Sequence, residues 1–517
     1  MQIKARLFVT LCLIGMPAVT LAQDPSQDRP LSAIDWLDSA ATTARVAPAA
    51  LTPDEPATTG SGSVPTVTVM PLGQSALVRI GLLPPSVSGL PDALWSGTDA
   101  AILSKLLADM PHLTLPAAQA VLFTTVLADA APSAGNSDVF DLARIDTVFH
   151  AGAVDPALAM LEQADPKRDP AFARRYIQAS LLNETEDPAC AMIQTDPRLA
   201  PDYAYRVFCA ARSGDWDTGA LLLGTARALQ TITPGQITAL ERFLDPELFE
   251  GEPHLSRPAK PDPLLFRIHE ALGQPIGTNS WPVQYAHADL RDVAGWKKQL
   301  DAAERLAANG ALGDNRLLGI YSMRKPAASG GIWDRVSAVQ RFETALKTGS
   351  SDAIGKTLPL AWNHMKSAGL AVPFATLFGE ALSKQTLTGA VGTIAQDVIL
   401  VSPFYESIDP QGGDIAKRQR FDVAIAKGWI DPVTPSTPLE RAVASAFGET
   451  TGTSPIAKFA QNGELGRAIL LSLAALQAGA DGDLDQLTKG LSAMRALGLE
   501  DAARRAALQV LQREDTK

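Results

Sequence analysis

Apolar positions recur mostly at three- and four-residue spacing, the period of an amphipathic helix. The stretch Asp187–Gln230 sets the pattern. Ala204, Val207, Phe208 and Ala211 share one helix face, and Gly219, Leu222, Leu223 and Ala226 share the next. Ser213-Gly214-Asp215 breaks the pattern between them. Gly214 suits a left-handed helix end and Asp215 an N-cap. The same grammar predicts helices at Ala100–Met110, Pro116–Ala130, Val139–His150 and Pro156–Gln163. It continues at Leu290–Ala308, Arg335–Lys347, Thr357–Ala368, Phe374–Ser383 and Leu387–Val401, and through three or four helices in Ile456–Gln509. Prolines recur where helices should start, and there they cost little. Such hairpins bury their apolar faces only by stacking on neighbours. The expectation is an all-α, irregular α-solenoid of antiparallel hairpins.

The turn signature G-x-Φ-x-x-[AG] occurs at Gly152–Ala157, Gly214–Gly219 and Gly463–Ala468. It resembles the inter-helix turn of tetratricopeptide-like and related α-solenoid repeats, at irregular spacing and without the full consensus. Ahead of the helices, Val64–Met70 alternates like a strand. Leu77–Ile80 is its expected partner in a small ribbon. Prolines 84, 85 and 91 then predict an extended segment lying across the helical body, with Trp95 as an anchor. The divisions read as residues 1–22 leader, 23–63 flexible Ala/Thr/Pro-rich linker and 64–98 extended or β segment. Residues 99–242 and 289–517 are two helical regions, separated by a proline-rich connector at 243–288.

The leader has Lys4 and Arg6, an apolar run Leu7–Val19, and then Thr20-Leu21-Ala22. This is the pattern of a cleavable secretory signal, with cleavage after Ala22. No other apolar run is long enough for an integral membrane span. Removing the leader's two basic residues takes the formal charge from −11 to −13, which disfavours nucleic acid as a partner. An oxidising compartment, read as the periplasm, gives the cysteines a role. Cys190 and Cys209 stand alone outside the leader, on helices folded back by the proline-rich Thr195–Asp202 turn, and are expected to form a disulfide.

The chemistry is thin. Gly349-Ser-Ser-Asp-Ala-Ile-Gly355-Lys356-Thr357 looks like a phosphate loop with one residue too many and no preceding strand, so a helix junction is the expected reading. The six histidines lack metal-ligand spacing, and neither a metal nor a cofactor is implied. Phe404–Pro410 carries a Glu-Ser pair followed by a proline. It resembles the catalytic element of soluble lytic transglycosylases, which join a helical solenoid to a lysozyme-like domain. That resemblance implies Glu406 as a general acid acting on peptidoglycan, although Gly412-Gly413 leads into a different sequence from the family's downstream element. The loop with Arg324, Lys325, Trp333 and Arg335 is basic, glycine-rich and aromatic, a composition used for protein or glycan contacts. Its competing reading turns Trp333 inward and has Asp334 cap the next helix. The leading functional expectation is a non-enzymatic periplasmic scaffold or adaptor with an envelope protein partner. The alternative is a peptidoglycan glycosidase using Glu406.

Overall fold

The computed structural model describes residues 79–408, 419–428, 433–448 and 454–514. The leader, the linker and the Val64–Met70 half of the expected ribbon lie outside them. Within them the fold is all-α, and no strand is present. Only two isolated bridges pair extended backbone, Leu83 with Ala128 and Asp99 with Ala134.

The first run of helices is α1 (Ala100–Ala108), α2 (Pro116–Val126), α3 (Ser137–His150), α4 (Val154–Gln163) and α5 (Pro170–Asn183). It continues with α6 (Glu186–Thr195), α7 (Tyr203–Arg212), α8 (Trp216–Leu229), α9 (Pro234–Leu244) and α10 (Pro263–Ala271). α3 packs most on α1, the helices from α4 to α9 pack mainly on their chain neighbours, and α10 folds back onto α5. The second run has α11 (Trp296–Ala308), α12 (Asp314–Ser322), α13 (Ile332–Thr348), α14 (Ser351–Ser367), α15 (Ala371–Ser383) and α16 (Gly389–Val401). The last has α17 (Gln419–Lys427), α18 (Pro438–Phe447), α19 (Ala457–Gln461), α20 (Leu465–Ala480), α21 (Leu484–Ala496) and α22 (Glu500–Glu514).

Local chemistry starts and stops these helices. Asp99, Asp169, Asp202, Asp215 and Asp262 accept hydrogen bonds from first-turn amides as N-caps. Thr233 with Gln236 and Thr437 with Glu440 form capping boxes ahead of α9 and α18. The three signature glycines, Gly152, Gly214 and Gly463, all have positive φ. At each, the glycine N–H bonds three residues back and the next N–H five residues back, as in Gly214 to Ala211 and Asp215 to Ala210. This is the closure of a left-handed helix cap. Gly273, Gly310, Gly369, Gly482 and Gly498 repeat it without the signature.

Trp95 is the expected anchor, but its segment is not extended throughout: Pro85–Ser88 is one helical turn and Asp92–Leu94 a 3-10 turn, since proline suits a first helical position. Trp95 is fully buried, meets the Phe140 ring edge-on at 4.8 Å, and lies 5.7 Å from the buried Arg144 guanidinium. Residues 79 and 80 are irregular. The segment instead joins the body through Leu82 and Leu83, whose amides donate to the Leu127 carbonyl. The connector stretch holds α10 and a 3-10 segment, Val283–Leu290, both packed on α5. Trp281, Tyr285 and Phe266 form one aromatic cluster there.

The two ends of the array meet. α20 packs on α1 and α2, and α22 packs on α2. Apolar surface is covered on both sides of this seam, and its amides are satisfied by buried side chains. Gln477 Oε1 accepts Thr114 N–H at 2.7 Å, and Gln509 Oε1 accepts Ala117 N–H at 3.0 Å. The array is therefore closed along this edge, leaving α8 on the periphery with α7 and α9 as its main neighbours.

Candidate docking edge

Among the described residues one cross-link ties α6 to α7, the helix on which α8 packs. Cys190 on α6 and Cys209 on α7 form the expected disulfide, with an S–S distance of 2.03 Å and Cα atoms 5.0 Å apart. Both residues are buried, and the Pro197–Leu199 3-10 turn reverses the chain between them. Gln194 Nε2 adds a tie to the Cys209 carbonyl at 2.9 Å. Closing a loop this size stabilises the fold by about 3 kcal/mol.

α8 turns Gly219, Leu223 and Ala226 inward. A Cβ at Gly219 would stand 3.2 Å from Leu244 Cδ2, so the helix sits close to its neighbours there. The opposite face starts with exposed Asp217 and is apolar from Ala220 on. Ala220, Leu221, Gly224 and Ala228 are exposed, and Leu221 is 72% and Leu229 61% accessible. Their spacing of one, four and eight places them on one stripe. Gly224 has open space where its Cβ would be. Leu248, just beyond α9, is exposed as well.

Trp216, half-exposed at the start of α8, leads inward. Its ring lies 6.3 Å from Phe243, which stacks on buried Phe208 at 5.4 Å. Phe208 and Phe243 line a cleft of about 420 Å³, with exposed Val293 also in its lining. Its charged wall centres on Arg267. The guanidinium donates to Glu186 at 3.1 Å, Glu270 at 2.7 Å and Glu184 at 2.9 Å. Arg291 also pairs with Glu184 and Glu270, and Arg212 with Glu186 and Asp187. Burial alone would push the Glu184 carboxyl up, but Arg267 and Arg291 hold it below the usual carboxylate range. Glu186 is buried, and its Oε2 accepts no hydrogen bond. The region offers an apolar helical stripe next to a polar, charge-paired recess, on a cross-linked support.

The catalytic and binding candidates singled out from sequence lie elsewhere and do not converge. Glu406 sits in the Tyr405–Ser407 3-10 turn with a 66% accessible side chain, 3.3 Å from the Arg504 guanidinium. Among the described residues nothing buries it in the apolar pocket that a glycosidase acid uses. Trp333 packs inward on Trp296, with ring centroids 5.2 Å apart. Arg335 is bidentate to Glu304 at 2.7 and 2.6 Å, and the same carboxylate accepts the Tyr321 hydroxyl. Arg324 and Lys325 are exposed. Asp334 reaches back to the Gly330 amide at 3.0 Å, ahead of α13. The loop thus matches its inward-packed reading at Trp333, whereas Asp334 lies inside the first turn of α13, whose N-cap is Gly331 without a side-chain cap bond. The phosphate-loop look-alike is a helix junction. Ser350 caps α14, Lys356 pairs with Asp352, and the Thr357 hydroxyl bonds the Ala353 carbonyl.

The small-residue pattern of α8 points to its inner face, and the outer stripe is not among the residues the sequence singles out. The run Leu221-Leu222-Leu223 was the available signal, since three successive residues cover three directions around a helix. No family model, no curated protein and no solved structure matches this chain.

Proposed function

We propose that the chain is an exported, periplasmic helical-repeat adaptor, and that its envelope partner lays an apolar helix on the outer face of α8. The observation that carries this reading is the uncovered stripe Ala220, Leu221, Gly224 and Ala228 on a helix whose inner face is fully used. An exposed stripe of large and small apolar residues marks an interaction surface. Small residues let a second helix backbone come close, and the flanking leucines supply the area. Support for export comes from the basic-then-apolar leader together with a disulfide, a bond that oxidising compartments keep. Among the described residues no helix is long and apolar enough to cross a membrane. The glycosidase alternative loses support from the accessible, arginine-paired Glu406.

The test is in-cell crosslinking of the tagged full chain, wild type against Leu221→Asp, with fractionation to show where it resides. The expected result is one reproducible envelope partner, lost in the variant while the melting temperature stays the same. Retention of the partner by Leu221→Asp would refute the docking edge. A second copy of the chain as the captured species would replace the adaptor reading with self-assembly.

A further inference from the structure

Another cleft, of about 340 Å³, opens between α4, α5 and the start of α6, away from α8. Its size falls within the range of small-molecule sites. The side of α4 that lines it carries Asp155, Leu158, Ala159 and Glu162, at the spacing of a single helix face. A carboxylate therefore stands at each end of an apolar floor, about 10 Å apart along the helix axis. Pro188 on α6 adds to the apolar lining.

Neither carboxylate is used up inside the protein. Glu162 is exposed and pairs with no cation among the described residues. Asp155 lies 3.7 Å from His287 Nε2 and 3.9 Å from Arg316 Nη1, both beyond hydrogen-bond reach. His287 Nε2 is instead 2.8 Å from Asn183 Oδ1. Burial holds the His287 imidazole below its usual range, so at neutral pH it does not offset the Asp155 charge. Arg316 is half-exposed, and solvent screens it from Asp155.

An acidic helix face alone is an ordinary solvated surface. Tyr176 makes this one different. It lines the cleft from α5 and is only 8% accessible. Its hydroxyl has no hydrogen-bond partner among the described residues. The oxygen is still open to the cleft, unlike sealed unpartnered atoms such as Trp95 Nε1. Burial, and then the Glu162 carboxylate beside it, push this hydroxyl above its usual range, so it stays protonated at neutral pH.

From this geometry we infer that the cleft is a binding site for a linear aliphatic diamine. One ammonium sits between Glu162 and the Tyr176 oxygen, the alkyl chain lies on Leu158, Ala159 and Pro188, and the second ammonium meets Asp155. Charge-assisted contacts of about 2.8 Å at each end leave room for a chain of about four to six carbons. The site is separate from α8 and does not rest on the adaptor reading.

The probe is 1,5-diaminopentane, titrated calorimetrically into the full chain at neutral pH and compared with 1-aminopentane. The expected result is saturable one-to-one binding of the diamine, roughly tenfold tighter than the monoamine, as for one charge-assisted hydrogen bond gained. Glu162→Gln should weaken the diamine roughly tenfold and Tyr176→Phe roughly fivefold, both at unchanged helix content. Asp155→Asn should bring the ratio of the two affinities close to one. Asp217→Asn removes the same charge from exposed α8 and should change nothing, which separates a built site from attraction to an acidic chain as a whole. Equal affinities in the wild type, absence of saturable binding, unaltered binding by Glu162→Gln or Tyr176→Phe, an unaltered ratio in Asp155→Asn, or an equal loss in Asp217→Asn would each overturn the assignment.

Discussion

The α20–α21 hairpin and the α7–α8 hairpin use the same parts to different ends. Each pair includes a helix that follows a positive-φ glycine turn, Gly463 before α20 and Gly214 before α8. Each contains small residues that bring helices close. In α20–α21 those residues are consumed internally. A Cβ at Gly479 would lie 2.5 Å from Leu487 Cα, one at Gly490 2.8 Å from Leu476 N, and one at Gly466 would strike the Trp95 ring. In α8, Gly219 is consumed in the same way, whereas Gly224 meets nothing. A small residue inside a packed seam is explained by the fold. Among the described residues the α8 stripe has no such explanation, and that difference carries the docking proposal.

Substituting leucine at the two kinds of glycine breaks the comparison most directly. Gly490→Leu should cost more than about 3 kcal/mol in urea unfolding, because backbone stands where the side chain must go. Gly224→Leu should instead stabilise by about 0.5–1 kcal/mol through helix propensity. It should also lose the partner, since the close approach is blocked. A smaller loss is expected from Cys190→Ser with Cys209→Ser, about 3 kcal/mol or less by thermal melting. Amide exchange should then quicken in α6 to α8 and stay slow in the α20–α22 seam.

A pH titration gives a weaker separation. The Glu184 carboxyl is held low in the folded chain, so its contribution is complete above the unfolded value of about 4.5 and is lost as pH falls through the lower folded value. Protection around the Arg267 cluster should drop in that acid range before protection at Gln477 and Gln509 does. The smallest effect on stability belongs to Leu221→Asp, within about 0.5 kcal/mol of wild type, because an exposed side chain away from any cap or pair contributes little to the fold.

Much of the fold was legible because helices announce themselves locally. The period at Ala204–Ala211 and the caps around Asp215 needed no partner to be read. Starts were read late where polar caps precede the apolar pattern. α14 begins at Ser351, six residues ahead of the expected Thr357, because Ser350 caps a first turn that resembled a loop. Five glycine turns escaped because the backbone geometry requires only the left-handed glycine, not the residues that followed it in the signature. The seam was illegible for another reason. Thr114 and Gln477 are 363 residues apart, and neither carries a local signal of the other. At the basic-aromatic loop, composition does not say that Trp333 has Trp296 to lie against and Arg335 has Glu304.

The most direct test of the docking edge is a photo-crosslinking scan along α8 in cells, placing the crosslinking residue at each position from Trp216 to Leu229. The account predicts capture of one partner with helical period, strong at positions 220, 221, 224 and 228 and absent at 219, 223 and 226. Uniform capture around the helix, or none at the four stripe positions while the chain is folded and exported, would contradict it.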